Sequence, residues 1–90
     1  MYHTYAIYNS RNKKLYIGQT INIVKRLKEH NRLLPNKSKY AKKYSGLWML
    51  IYSEKYNTRS EAMKREKELK SSRGRFFLKN LVEYEKASVA

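Results

Sequence analysis

The chain has 90 residues, with 21 Lys plus Arg against 7 Asp plus Glu and a formal net charge of +14. That length holds one modest core and excludes a second domain, while so positive a surface attracts polyanions and repels itself, as expected where the partner is a nucleic acid. The absence of cysteine excludes disulfides, thiolate metal sites and cysteine nucleophiles and suits a reducing compartment, so the cytoplasm is the expected location. A multi-histidine zinc centre is excluded by a content of only 2 histidines, and no apolar run approaches the roughly 18 residues of a membrane-spanning helix. Nor does Met1 to Ser10 have the basic-then-apolar order of a signal peptide.

The first predicted element is a β-hairpin. His3 to Asn9 and Lys13 to Gly18 are rich in aromatic and β-branched residues, with Ser10, Arg11 and Asn12 as a polar turn between them. Strand alternation puts Tyr5 and Ile7 on one face, and likewise Tyr16 and Gly18 on the second strand. The 9 tyrosines read by default as half-buried strand residues with their hydroxyls at the surface. A helix follows, capped by Thr20 or Asn22 and ending near Asn31, with Ile23, Val24 and Leu27 as its apolar stripe. Arg26 and His30 lie together on one edge of that stripe.

Arg32 to Ser45 has no clear period and is expected to be a long basic loop, with Lys37, Lys39, Lys42 and Lys43 around Tyr40 and Tyr44. Such interleaving suits phosphate contact and base stacking, although a mobile solvated loop would look the same. Gly46 to Tyr56 contains the apolar run Leu47 to Tyr52, which predicts a buried strand. Thr58-Arg59-Ser60-Glu61 matches a capping box at the start of a helix over Arg59 to Lys70. Ser71 to Gly74 breaks that helix, and Phe76, Phe77, Leu78, Leu81 and Val82 predict a final short helix with its aromatics on the sheet. The expected organisation is one domain over residues 1–83 and a frayed tail over 84–90.

Glu66 is the residue that this pattern does not absorb. At about 100° per residue it falls among Ala62, Met63 and Leu69 on the apolar side of its helix, whereas Glu61 is occupied by the cap. A buried unpaired carboxylate costs roughly several kcal/mol, so Glu66 must be neutralised, paired with one of the many cations, or bound to a metal.

Tyr5 on a first strand, Tyr16-Ile17-Gly18 on a second, Arg26 and His30 on a helix, and Glu66 on the helix after a third strand together resemble the GIY-YIG nuclease superfamily. The second half-motif is intact, and the first is reduced to His3-Thr4-Tyr5. Among its branches the chain is most similar to the small single-domain bacterial UPF0213-like group. The resemblance implies an α/β fold, with a three-stranded antiparallel sheet flanked by helices, and phosphodiester hydrolysis using one divalent cation, Mg²⁺ or Mn²⁺. It also gives Glu66 the metal, Arg26 the charge of the scissile phosphate, Tyr16 the attacking water, and Tyr5 and His30 the remainder of the polar pocket; Asn80 is the candidate for an asparagine that often closes such a site.

Two function classes compete. The first is a metal-dependent endonuclease, with DNA favoured over RNA and structured or single strands favoured over a long specific site, whose partner surface is the loop Lys37 to Lys43 with the basic side chains of the first helix. The second is a nucleic-acid-binding module that keeps the fold without turnover. A carboxylate facing a polyanion favours the enzyme, since Glu66 repels phosphate unless a cation intervenes.

Overall fold

The computed structural model describes residues 1–31 and 47–89, with side chains through residue 83. Strands β1 (Tyr2–Asn9), β2 (Lys14–Thr20) and β3 (Trp48–Tyr56) form an antiparallel sheet in the order β2-β1-β3. Helices α1 (Ile23–His30), α2 (Arg59–Leu69) and α3 (Ser72–Val89) complete the fold among the described residues. This is the expected α/β architecture. None of the helices described is long and apolar enough to cross a membrane.

The middle strand is buried on both faces from Thr4 to Ile7. On one face Tyr5 and Ile7 pack with Trp48, and Tyr16, Ile23 and Leu27 close around them, which seats α1. On the other face Ala6 and Ile17 pack with Leu69 and Leu78, joined by Leu15, Ile51, Tyr52 and Leu81, which seats α2 and α3. The alternation along β1 and β2 thus sorts side chains into two small cores rather than one.

A bulge in β3 does the same for the third strand. Ala6 is opposite Tyr52 but Ile7 is opposite Leu50, so Ile51 is the extra residue. In a regular strand Trp48 and Tyr52 would share a face; the inserted residue sends Trp48 to the α1 side and Tyr52 to the other. The expected buried run is therefore corrected. β3 is an edge strand in which Trp48 is 1% exposed while Met49 is 54% and Leu50 40% exposed, and Leu47 just before it is 66% exposed. Val24, expected on the inner stripe of α1, is also exposed.

Local chemistry fixes the helix ends. Asn22 is the N-cap of α1, its side chain accepting from the Lys25 amide at 3.0 Å, and Thr20 shapes the turn before it by accepting from the Asn22 amide at 3.2 Å. The Thr58 cap accepts from the Glu61 amide at 3.2 Å and donates its hydroxyl to the Glu61 carboxylate at 2.8 Å. Thr4 ties α2 to the sheet, donating to the Ala62 carbonyl at 2.7 Å. The last helix is longer than the short one expected, since Ser71 caps it by accepting from the Gly74 amide at 3.2 Å and Gly74 lies inside its first turn. Of its aromatics, Phe77 packs on the sheet as expected, in a T-shaped contact with Tyr52 of β3 with ring centroids 5.2 Å apart, whereas Phe76 is 68% exposed.

Candidate active site

The site begins with strand register. Tyr5 is opposite Gly18 and Ile7 is opposite Tyr16, so the two tyrosines are diagonal neighbours on the α1 face, with centroids 6.2 Å apart. Gly18 is needed here for space. A Cβ at that position would lie 3.0 Å from the Tyr5 hydroxyl and 3.1 Å from the Tyr16 ring.

Helix α1 brings Arg26 and His30 onto this pair. His30 Nε2 lies 3.1 Å from the Tyr5 hydroxyl, and its ring packs 4.5 Å from that of Tyr16 with Trp48 behind it at 6.3 Å. Arg26 donates through Nε to Tyr5 at 3.3 Å, through one terminal nitrogen to Tyr16 at 3.4 Å, and through the other to Glu29 at 2.7 Å. The guanidinium has five N–H groups, so this fixed fork keeps donors to spare for an anion.

The electrostatics follow from burial. Tyr5 is 2% exposed, and burial pushes its hydroxyl far above the ordinary tyrosine range; the Arg26 hydrogen bond opposes that, while charge on Tyr16 and Glu66 adds to it. Tyr5 therefore stays protonated. Burial, helped by the Arg26 charge, pushes the His30 imidazole down to about 4, so the ring is neutral at physiological pH. For Arg26, burial alone would lower the value, but the hydrogen bonds to Tyr5, Glu29 and Tyr16 outweigh it and hold the cation firmly charged.

Glu66 is placed at the margin of this cluster. Its helix packs on the other side of the sheet, through the buried Ala62 and Leu69, while Met63 is exposed. The Glu66 side chain is 25% exposed and is bridged by Lys70 at 3.1 Å, one helical turn on. The pairing anticipated for a carboxylate in this position is thus present, and the charge still reaches the Tyr5 hydroxyl. Among the described residues no three His, Asp or Glu side chains gather as a ready metal cage. The donor set nonetheless fits a hard cation such as Mg²⁺, which binds through one or two carboxylates and keeps several waters; Lys70 is its competitor.

Tyr5, Tyr16, Arg26 and His30, the residues that the family resemblance grouped, are joined by direct contact. Asn80 is exposed on α3, the helix whose buried residue Leu78 packs with the core on the opposite face from Tyr5. Lys37, Lys39, Lys42 and Lys43 lie outside the described residues. Two contributors were missed. Glu29 braces Arg26, and the signal available was its i,i+3 spacing with an oppositely charged partner. Asn31 holds α1 to the start of β3, donating to the Trp48 carbonyl at 3.1 Å and accepting from its amide at 2.6 Å, a pairing that no local pattern announces.

Comparison with known proteins gives a consistent result. A profile described as the GIY-YIG catalytic domain matches residues 1–80. A UPF0213 protein of Staphylococcus haemolyticus is 35% identical over 69 residues, covering 77% of this chain and 80% of that protein. No solved structure matches significantly.

Proposed function

Since the chain belongs to the GIY-YIG nuclease superfamily, we propose that it is an active endonuclease that hydrolyses phosphodiester bonds in DNA with the help of Mg²⁺ or Mn²⁺. The observation that carries this reading is the bracing of Arg26 by three acceptors, Tyr5, Tyr16 and Glu29. A cationic fork held this rigidly has its reorganisation done before substrate arrives, which is what stabilises charge developing on phosphorus. Lysine would not serve as well, because it lacks the planar fork.

In this reading Glu66 holds the cation, which when bound supplies positive charge at the phosphate oxygens and favours ionisation of water. Arg26 receives a non-bridging phosphate oxygen on its remaining N–H groups. Tyr16, partly open to solvent, orients the attacking water, its own oxygen held in place by the Arg26 donor at 3.4 Å. Tyr5 keeps its proton and fixes Arg26. Neutral His30 packs against both tyrosines and adds no charge of its own to the pocket.

The test is cleavage of labelled single-stranded, duplex and branched DNA, and of matching RNA, with Mg²⁺, Mn²⁺ or EDTA. Metal-dependent cutting by the wild type is expected to fall by at least about 100-fold in Glu66→Ala, roughly 2.7 kcal/mol of lost stabilisation, while binding persists. Binding without cutting under every condition would instead identify a non-catalytic module, in which Glu66 serves only as the partner of Lys70.

A further inference from the structure

The two edges of the sheet differ in charge. At the β3 edge a shallow groove is lined by Glu54, Glu61 and Glu68 with Tyr56, Lys64 and Arg65. Its arginine is consumed there, bound to Glu54 at 2.7 Å and Glu68 at 3.2 Å. At the β2 edge a groove of about 570 Å³ is lined by Lys13, Lys14, Arg75 and Lys79, with Tyr8 in the wall and Glu83 as the one carboxylate among its lining residues.

This basic groove shares Leu15 and Arg75 with a depression of about 400 Å³ whose other walls are Tyr16, Ile17 and Lys70. The two form a continuous channel. One end is lined by Tyr16 and by Lys70, the partner of Glu66, where the α2–α3 face that carries Leu15 and Ile17 meets, round the edge strand β2, the α1 face that carries the Tyr16 ring; the other end is the hairpin turn. Arg75 stands at the junction, its Nε held by the Lys70 carbonyl at 3.0 Å.

Lys13 gives an independent indication. It has φ 55°, a left-handed conformation, in the turn that ends β1. Glycine or asparagine adopts that conformation more readily than lysine, so folding alone does not account for a lysine there, whereas a need for positive charge at the mouth of the groove does.

We propose that this channel carries the backbone of one DNA strand away from the catalytic pocket, with phosphates on Lys13, Arg75 and Lys79 and an unpaired base on Tyr8. The proposal rests on the endonuclease reading and places the strand on β2 and α3. A channel of this volume takes up a single backbone, and a half-buried tyrosine ring such as that of Tyr8 is a stacking platform for bases freed from a duplex. The carboxylates at the opposite edge repel the same polyanion and so set which side of the sheet it follows.

Anisotropy of labelled single-stranded DNA in EDTA, measured across a salt series, tests it without catalysis. The triple variant Lys13→Asn, Arg75→Gln, Lys79→Gln should bind on the order of ten-fold or more weaker at low salt. Its slope of log affinity against log salt should be shallower by about 0.7 for each lost phosphate contact. Lys13→Asn alone should lower the slope while raising Tm, opposite signs that a merely structural lysine does not produce, and Lys64→Gln at the acidic edge should change neither. Wild-type affinity and slope in the triple variant, equal weakening by Lys64→Gln, or an effect confined to an RNA strand of the same sequence would overturn the proposal. The Glu66→Ala cleavage assay judges the endonuclease reading separately: a protein that never cuts yet binds through these residues retires the nuclease and keeps the strand track.

Discussion

Arg26 owes its usefulness to neighbours rather than to its charge, which it shares with many other residues of the chain. Tyr5, Tyr16 and Glu29 each take one of its nitrogens, and Glu29 alone among them is an ion. Removing that brace leaves the fork attached to two neutral hydroxyls and free to swing. Glu29→Ala is therefore expected to slow cleavage by about ten-fold, or ~1.4 kcal/mol, in single-turnover kinetics. Because the pair is part-exposed and spans one helical turn, Tm should move by only a few degrees. An unchanged rate would show that Tyr5 and Tyr16 suffice. Glu66 stood out because it departs from the apolar stripe of its helix, and the motif tyrosines, Arg26 and His30 were singled out only by the family resemblance; Glu29 was not, because an i,i+3 ion pair on a basic helix looks like ordinary surface charge.

The junction of α2 and α3 depends on a residue with no side chain. A Cβ at Gly74 would meet the Leu69 Cα and carbonyl oxygen at 2.4 Å, backbone atoms that cannot rotate away. The close crossing places Leu69 and Leu78 in one core and puts Arg75 beside Lys70. Gly74→Ala should consequently lose about 1–3 kcal/mol or more, read from the midpoint of urea unfolding at unchanged m. A wild-type midpoint would mean that the two helices part without penalty. The sequence reading took Ser71 to Gly74 as a helix break. Glycine signals a break in an isolated helix, but here it permits the first turn of the next one to pack, a distinction that exists only once the partner helix is in place.

Stability of the whole molecule should carry the signature of His30, which is 1% exposed between two tyrosines and Arg26. Its value falls from an ordinary 6.5 to about 4 on folding. Between those limits the unfolded chain binds a proton that the folded chain refuses, so stability rises with pH through the window, is complete above its upper limit and is lost as pH falls toward its lower one. The full amplitude is roughly 3 kcal/mol. Urea melts across that range should show the rise in the wild type and a flatter profile in His30→Gln, the difference isolating this group from the carboxylates. Parallel profiles would place the proton elsewhere.

Local regularities of the sequence determined the two-strand start and the caps of the first two helices, because alternation and capping act over a few neighbouring positions, and the ordered motif residues along the chain showed the family. Tertiary structure alone decided which apolar residues are inside. Leu47, Met49 and Phe76 are as apolar as Leu69 and Leu78, yet they are exposed, since β3 is an edge strand and α3 turns one stripe inward. The bulge at Ile51, the Asn31 clamp on Trp48 and the segregation of charge to opposite sheet edges likewise join residues distant in the chain. No pattern confined to one segment can encode them, because each is a relation between two surfaces that meet only after the chain has folded.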